Sequence, residues 1–576
     1  MSESSSALTP AADIPPWAAG TEARDHELFP ELNDAEIALI EPYGETRNYV
    51  RGAVVWQAGE RDAGFHLVLT GQLLVIRAGD HDEQQVAEHG RGGFAGETAT
   101  LSGGGAVVKG VAGSDLETLA VSTENIRRLI ATEAELGEKI LLSFILRRMR
   151  MIAMNLGSVT LLADTDTPAG SSLHTFLSRN GVPFEAVDVR KDAKRAVQIA
   201  AKQGIELGTD PVVICDQQVL VNPCNRVLAE SLGMTQPLNC SDTFDVAVLG
   251  AGPGGLASAV YAASEGLSVL VIESVAPGGQ AGSSSKIENY LGFPTGISGQ
   301  ALAGRAYLQA QKFGARIAVA RQIQSLECGD ALHRLHLDNN DCVAAKVVVV
   351  ATGAVYRQPP IKNLEHFGGV HYGASHVEAQ LCTGQDVAIV GGGNSAGQAA
   401  VYLAGRASHV HILIRSKSLV HSMSDYLIQR IEKLPNVTLH PYREVVRALE
   451  DDKSPGRLNT LELKDSQSGE LSSLKASHIF IFIGALPGSD FLDNHFALDN
   501  KGFIVTGNDL DSEQLEQSGW DHERRPHTFE TSCPRVFAVG DVRSGSVKRV
   551  ASAVGEGSVC VQYIHRLLEN MDNRPG

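Results

Sequence analysis

One pattern occurs twice in this chain. Asp245–Ser274 reads DVAVLGAGPGGLASAVYAASEGLSVLVIES, and Asp386–Ser416 reads DVAIVGGGNSAGQAAVYLAGRASHVHILIRS. Each copy runs from an apolar β-branched stretch through a glycine-rich turn into an alanine-rich stretch and back to an apolar one. Both carry V-Y-x-A in the middle segment. Strand, turn, helix, strand is a βαβ unit, which commits a chain to parallel strands covered by helices. Two copies in one chain imply two dinucleotide sites.

In the first copy Gly250, Gly252 and Gly255 form G-x-G-x-x-G around Pro253 and Gly254. The first glycine permits the tight turn, the second lets backbone approach a pyrophosphate, and the third lets helix and strand pack closely. Glu273 ends the second apolar run, where a carboxylate can hold ribose hydroxyls. The second copy has Gly391, Gly393, Asn394, Ser395 and Ala396, and its last strand runs out in Ile414-Arg415-Ser416-Lys417 with no acid. An acid there would repel a 2′-phosphate, whereas Arg415 and Lys417 pair with one. The second site is therefore assigned to NADPH and the first to FAD. The alternative for Arg415 is a solvated charge at a strand end.

Three further segments support a flavin. Gly278-Gly279-Gln280 opens a loop that runs to Glu288-Asn289-Tyr290, and Ala351-Thr352-Gly353 follows a β-rich run. Val536–Val542 reads VFAVGDV, so Gly540-Asp541 ends a buried strand, and Asp541 is placed to accept from a ribityl hydroxyl. Arg549-Val550-Ala551 is expected to open a helix whose positive end favours an anionic reduced flavin.

With those segments in that order, residues 243–576 resemble the low-molecular-weight thioredoxin reductase family. The resemblance rests on Gly250–Gly255, Gly278–Gln280, Glu288–Tyr290, Ala351–Gly353, Gly391–Ala396, Ile483–Pro487, Gly540–Asp541 and Arg549–Ala551. It implies an FAD domain of 243–358 plus 485–576, an inserted NADPH domain of 359–484, and a homodimer. The chain departs from the family in its redox motif. The redox C-x-x-C of that family lies shortly before the second glycine motif, and here that stretch reads HYGASHV from His371 to Val377. A flavin reduces a protein disulfide through a pair of thiols, so relay in the family's manner is not expected. Cys382 reads as a core thiol. His376 is the candidate proton donor beside the flavin, with a packing histidine as the alternative.

The chain ahead of residue 243 divides again. Residues 157–236 alternate strand and helix: Ser158–Ala163, helix Ser171–Arg179, Phe184–Val189, helix Ala193–Lys202, then Pro211–Cys215. This stretch resembles a thioredoxin or glutaredoxin domain, with Pro211 as the cis-proline the resemblance implies. Thr167-Pro168-Ala169-Gly170 stands where a redox motif would open the first helix. A structural or partner-binding role is expected. Residues 25–153 alternate apolar and polar in short runs, as in Phe65–Ile76, and end in two helical stretches, Thr123–Thr132 and Glu133–Met151. Leu69–Leu73 and the cassette Gly93–Thr98 resemble a cyclic nucleotide-binding β-roll. The arginine that neutralises the cyclic phosphate in that family is replaced by Ala106-Val107, with Lys109 the nearest cation and Ser102–Gly105 able to offer amides. A degenerate sensor is expected rather than a cyclic AMP receptor.

Composition narrows the function. With 49 basic and 67 acidic side chains in 576 residues the net charge is −18, which argues against nucleic-acid binding. No apolar run reaches the length of a membrane helix. Residues 1–24 read as a disordered lead-in without a secretion signal, so a cytoplasmic protein is expected. Eight cysteines with no C-x-x-C argue against a disulfide scaffold or a zinc knuckle, and no metal site is expected. The expected class is thus multidomain: an N-terminal β-roll, a central thioredoxin-like α/β domain and a C-terminal Rossmann-like flavoprotein. The expected activity moves hydride from NADPH to FAD and on to an unidentified acceptor, a small molecule or redox protein, without an internal disulfide. A regulatory flavoprotein that senses redox state or nucleotide is the first alternative. A ferredoxin– or flavodoxin–NADP reductase or an NADPH oxidase is the second. Residues 508–530 are expected to be an insertion covering the flavin or a dimer interface.

Overall fold

A computed structural model describes the chain except residues 1–24, 61–62, 79–82, 97–105, 107, 154–158, 216–217, 236–237, 285, 375, 452–453, 493–495, 521–522 and 573–576. The lead-in, and most of the phosphate-cassette positions (Glu97, Thr98, Ser102–Gly105 and Val107), lie outside the described residues. The chain divides into two compact units. One comprises residues up to Val159 with Val182–Glu185, and the other Thr160–Gly181 with Ala186 onward.

The first unit holds two four-stranded antiparallel sheets. One runs in the order Gly44–Tyr49, Leu116–Val121, Phe65–Thr70, Phe94–Ala95; the other Val54–Trp56, Lys109–Ala112, Leu73–Ala78, Glu83–His89. Alternation in the sequence becomes sidedness: Val68, Leu73, Val75, Leu116 and Trp56 meet in one buried cluster. Ser122 caps helix Thr123–Thr132 by accepting from the Asn125 amide. The next helix, Ala134–Ala153, inserts Phe144 edge-on against Phe65 and Phe94.

In the central stretch the strand order is Phe184–Asp188, Val159–Ala163, Val212–Cys215, Gln218–Val221. The first helix starts earlier than its apolar residues suggest, at Pro168, because Thr167 accepts from the Gly170 amide and proline suits the first helical position. Pro211 does not match its expected conformation: no described peptide bond is cis. The following Val212–Cys215 strand pairs with Gln218–Val221, and the Asn222 amide reaches the Pro211 carbonyl in ordinary trans geometry.

The largest sheet has seven strands, in the order Arg316–Val319, Val269–Glu273, Thr243–Leu249, Cys342–Val350, His333–Leu337, Ile323–Glu327, with Val536–Ala538 also on Cys342–Val350. Thr243–Leu249 is parallel to both of its neighbours, with Val248 opposite Val271 and Val349. Ala247, Leu249, Leu270, Ile272, Val348 and Ala538 fill its core. Helices Pro253–Ser264 and Val550–Asp572 meet through small residues, and a Cβ on Gly557 would strike the Gly254 carbonyl. The second repeat lies in a five-stranded parallel sheet ordered Val370–His371, His478–Ile481, Asp386–Val390, His409–Leu413, Val437–His440. Ala354–Tyr356 and Ala485–Pro487 pair with each other where the chain passes between the two sheets. One expectation is corrected here. Cys240 is disulfide-bonded to Cys342 and Cys328 to Cys533, across 102 and 205 residues. Sheet pairing brings these partners together, so local cysteine spacing does not register them.

Candidate functional site

The first glycine turn starts where strand Thr243–Leu249 ends, with the Gly250 amide donating to the Ile272 carbonyl (2.8 Å). Gly250 takes φ +100°, and any Cβ there would collide with the Ala351 carbonyl. Gly252 is the N-cap of helix Pro253–Ser264, with open space where its Cβ would project. The helix therefore presents free amides and its positive end to a cleft of about 990 Å³.

Most of the expected residues converge on that cleft. Gly250, Gly252, Pro253 and Gly254 line it at the turn, and Glu273 at the end of the neighbouring strand. Gly279 and Gln280, then Ala351, Thr352 and Gly353, line it from two further segments. Gly540 and Asp541, with Arg549 and Val550, close it from the last strand and helix. Glu273 is buried and accepts from the amides of Ala251 (2.8 Å), Val275 (2.9 Å) and Ala276 (3.2 Å). A carboxylate has about four acceptor positions, which leaves one for a hydroxyl in the cleft. Burial, reinforced by Glu556, pushes the Asp541 carboxyl above the usual range against the pull of Lys548. Glu556 itself is fixed by the Gly540 amide (2.7 Å) and by Arg543.

Three expected residues do not line the cleft. Gly255 sits behind the turn, where a Cβ would strike the Gly250 carbonyl, so it serves packing alone. Asn289 is exposed, in a loop held outward by Glu288 between Lys286 (3.4 Å) and Arg430 (3.5 Å). Ala551 is exposed because one residue of helical rotation turns it away from Val550. His376 begins helix His376–Leu381, and its side chain lies outside the described residues. The described residues of the 508–530 stretch do not line the cleft. The stretch is organised by Arg524, bidentate to the fully buried Glu530 (2.6 and 2.8 Å) and over the Trp520 ring, and it packs on the last helix through His527 and Thr528 against Tyr563.

Several residues in the cleft carried no motif. Arg179, at the end of a central-domain helix, lines the cleft and donates to the Gly279 carbonyl (2.9 Å). Its neighbour Asn180 donates to the Val275 carbonyl (3.1 Å). Tyr356 and Tyr372 line the cleft with their rings near-parallel, centroids 6.3 Å apart. Burial raises the pKa of both phenols; for Tyr356 a hydrogen bond with Ser283 and the charge of Arg179 oppose the shift. Arg321, nearly inaccessible, is anchored by Asp338 (2.9 Å) and Asp341 (2.7 Å). No local signal marks these residues, because they reach the cleft only through tertiary packing.

At the second turn Gly391 takes φ +134° beneath the Phe482 carbonyl. Gly393 caps helix Asn394–Leu403, Asn394 accepts from the Ser424 amide (2.8 Å), and Ala396 is buried. Ser395 turns out to line the first cleft. Arg415, Ser416 and Lys417 are exposed at the end of strand His409–Leu413, and among the described residues neither cation has an acidic partner. Two unengaged cations beside an open helix N-terminus suit a phosphorylated ribose.

Residues 244–557 match the family described as pyridine nucleotide-disulphide oxidoreductase. The chain belongs to this family. Residues 46–133 match the cyclic nucleotide-binding domain. An NADPH-dependent thioredoxin reductase 3 of Arabidopsis thaliana is 30% identical over 56% of this chain, which spans 58% of that protein's length. A thioredoxin reductase of Bacillus subtilis is 29% identical over 57% of this chain and 96% of its own. The crystal structure of the Lactococcus lactis thioredoxin reductase is 26% identical over 57% of this chain and 99% of its own, with a TM-score of 0.49. Thioredoxin reductases of this family use FAD and NADPH. The cleft fits the first: its size, its open helix N-terminus and the spare acceptor on Glu273 are what a pyrophosphate and ribose require. Among the described residues no helix is long and apolar enough to cross a membrane.

Proposed function

We propose that the chain is an NADPH-dependent flavin oxidoreductase that delivers electrons to its acceptor without an internal disulfide. The observation that carries this reading is that, among the described residues, no cysteine lines the cleft. Between Cys342 and Cys382 the sequence has none. Cys382 is fully buried in the core of the second repeat, and burial pushes its thiol up to about 12, so it stays protonated at neutral pH. In place of a thiol pair, Tyr372 faces Tyr356, and Gly373 lies so close to Ser283 that a Cβ would stand 3.0 Å from its hydroxyl.

Bound FAD supplies two-electron redox chemistry between NADPH and the acceptor. The chain's own residues bind and orient. The amides around Gly250–Gly254 take the pyrophosphate, and Glu273 the ribose. Asp541 and the N-terminus of helix Val550–Asp572 take the far end of the cofactor. Arg415 and Lys417 hold the 2′-phosphate of NADPH. The boundaries that follow are 243–358 with 485–576 for FAD and 359–484 for NADPH. The central stretch supports a thioredoxin-like reading through its strand order and through Thr167-Pro168 at the first helix, where no cysteine stands. A cytoplasmic homodimer with an N-terminal domain of weak or no cyclic nucleotide affinity completes the reading.

The test is turnover after thiol alkylation. The enzyme is reduced anaerobically with NADPH, treated with N-ethylmaleimide, and assayed with quinone, ferricyanide and thioredoxin-type disulfide acceptors. Unchanged turnover with at least one acceptor is expected; loss of all turnover on alkylation overturns the reading.

A further inference from the structure

Away from the flavin cleft, one corner of the large sheet gathers three soft ligand atoms. Cys328 follows strand Ile323–Glu327, His333 begins strand His333–Leu337, and Cys533 precedes strand Val536–Ala538. Their sulfur and ring-nitrogen atoms lie within 4.8 Å of one another. None of the three lines the cleft. His333 is 1% exposed, and neither ring nitrogen makes a hydrogen bond of good geometry, although the Pro534 carbonyl lies beside the ring. A buried imidazole without a partner is costly, and metal ligation is one arrangement that removes the cost. The corner is held rigidly. Arg535 donates to the carbonyls of Gly329, Asp330 and Ala331 in the turn and to Lys346, tying the hairpin carrying Cys328 and His333 to the segment carrying Cys533. Cys533 is buried and Cys328 exposed, so one side opens to solvent.

We propose that this corner is a redox-gated zinc site. In the disulfide form shown, the sulfurs are joined and cannot ligate. A phosphine reductant breaks the S–S bond: the phosphine loses two electrons and takes an oxygen atom from water, and the two protons of that water leave two thiols. Zn²⁺ then displaces both thiol protons, forming two Zn–S bonds, while neutral His333 donates a ring-nitrogen lone pair and water fills the fourth position. Two thiolates and one imidazole suit a borderline-soft ion with tetrahedral preference. The two thiolate charges offset the two charges of the ion.

The experiment uses the full-length flavoprotein. One sample is reduced with a water-soluble phosphine and desalted without oxygen, and a second is kept oxidised. Each is titrated with Zn²⁺ against a chromophoric chelator, and with Co²⁺ as a spectroscopic probe. Stoichiometric binding by the reduced sample alone is expected, with a thiolate-to-cobalt charge-transfer band. Cys328→Ser, Cys533→Ser and His333→Gln are each expected to weaken Zn²⁺ binding at least about tenfold, while Cys240→Ser leaves it unchanged. Retained flavin absorbance and circular dichroism confirm that each variant is folded. The unmutated oxidised and reduced chains provide a comparison free of any folding defect. Equal binding by the two samples, no binding by the reduced one, or loss in Cys240→Ser with retention in Cys328→Ser overturns the proposal.

Discussion

Arg415 and Lys417 show how a missing residue carries information. The strand His409–Leu413 delivers the chain to the position where an acid would hold an unphosphorylated ribose, and two exposed cations stand there instead, without acidic partners among the described residues. A phosphate ester with close to two negative charges gains charge-assisted hydrogen bonds from them, while a bare ribose gains nothing. Replacing both, Arg415→Ala with Lys417→Ala, is expected to raise the KM for NADPH about 10- to 100-fold, corresponding to roughly 1.4–2.8 kcal/mol. The KM for NADH is expected to change less than about twofold. Anaerobic flavin reduction with each nucleotide measures both. A variant that loses NADPH and NADH equally would show that these cations support the fold rather than read the phosphate. Glu273 is the counterpart at the first turn, where a single carboxylate both stitches three amides and keeps one acceptor for the ligand.

At the scale of elements, the two βαβ units were legible because their glycines answer to steric demands that no other residue meets. Gly250 and Gly391 both take positive φ under a facing carbonyl. Helix Ala193–Lys202 was legible to the residue from its periodicity. The tyrosine pair, Arg179 and the two disulfides were not, because each depends on which elements pack together, and nothing local encodes that. Residues 508–530 illustrate the same limit: the contact that organises them does not show in the sequence. Glu530 is wholly buried and accepts from Arg524 and from the amides of His527 and Arg535. Arg524→Ala leaves that carboxylate with its amides alone. Removing one partner of a buried pair costs about 3–5 kcal/mol, and because Arg524 is itself about one-third exposed, solvent screening brings the expected loss to about 1–3 kcal/mol. Calorimetry of the flavin-loaded protein measures it. Since this stretch does not line the cleft, KM values for NADPH are expected to stay at the wild-type level.

Across the whole molecule, buried neutral histidines couple folding to pH. In the first unit burial lowers His66 to about 4 and His89 to about 3; in the second it lowers His371 to about 4 and His478 to about 3. His371 and His478 face each other ring nitrogen to ring nitrogen at 3.0 Å, a contact that needs one donor and one acceptor, so the two rings cannot both be protonated while it holds. His66 is fixed in one tautomer: Nε2 donates to the Ala63 carbonyl at 2.8 Å, and Nδ1 faces the Thr118 hydroxyl at 3.4 Å. Arg47 adds to the lowering, while Glu60 and the Ala63 bond oppose it. The sign follows from proton counting. Between pH 6.5 and 4 the unfolded chain binds a proton at His66 and the folded chain does not, so stability rises with pH across that window. The contribution is complete above about pH 6.5, is lost progressively as the pH falls from there, and is gone below about 4. A depression from 6.5 to about 4 corresponds to a contribution on the order of 3 kcal/mol. The thermal transition of the first unit is therefore expected to fall on acidification from pH 7 to 4.5. His66→Gln, which keeps a donor for Ala63 but cannot take up the proton, is expected to flatten that slope while lowering the transition at pH 7. An unchanged slope in this variant, followed by scanning calorimetry at several pH values, would assign the acid sensitivity to His89 and remove His66 from the account.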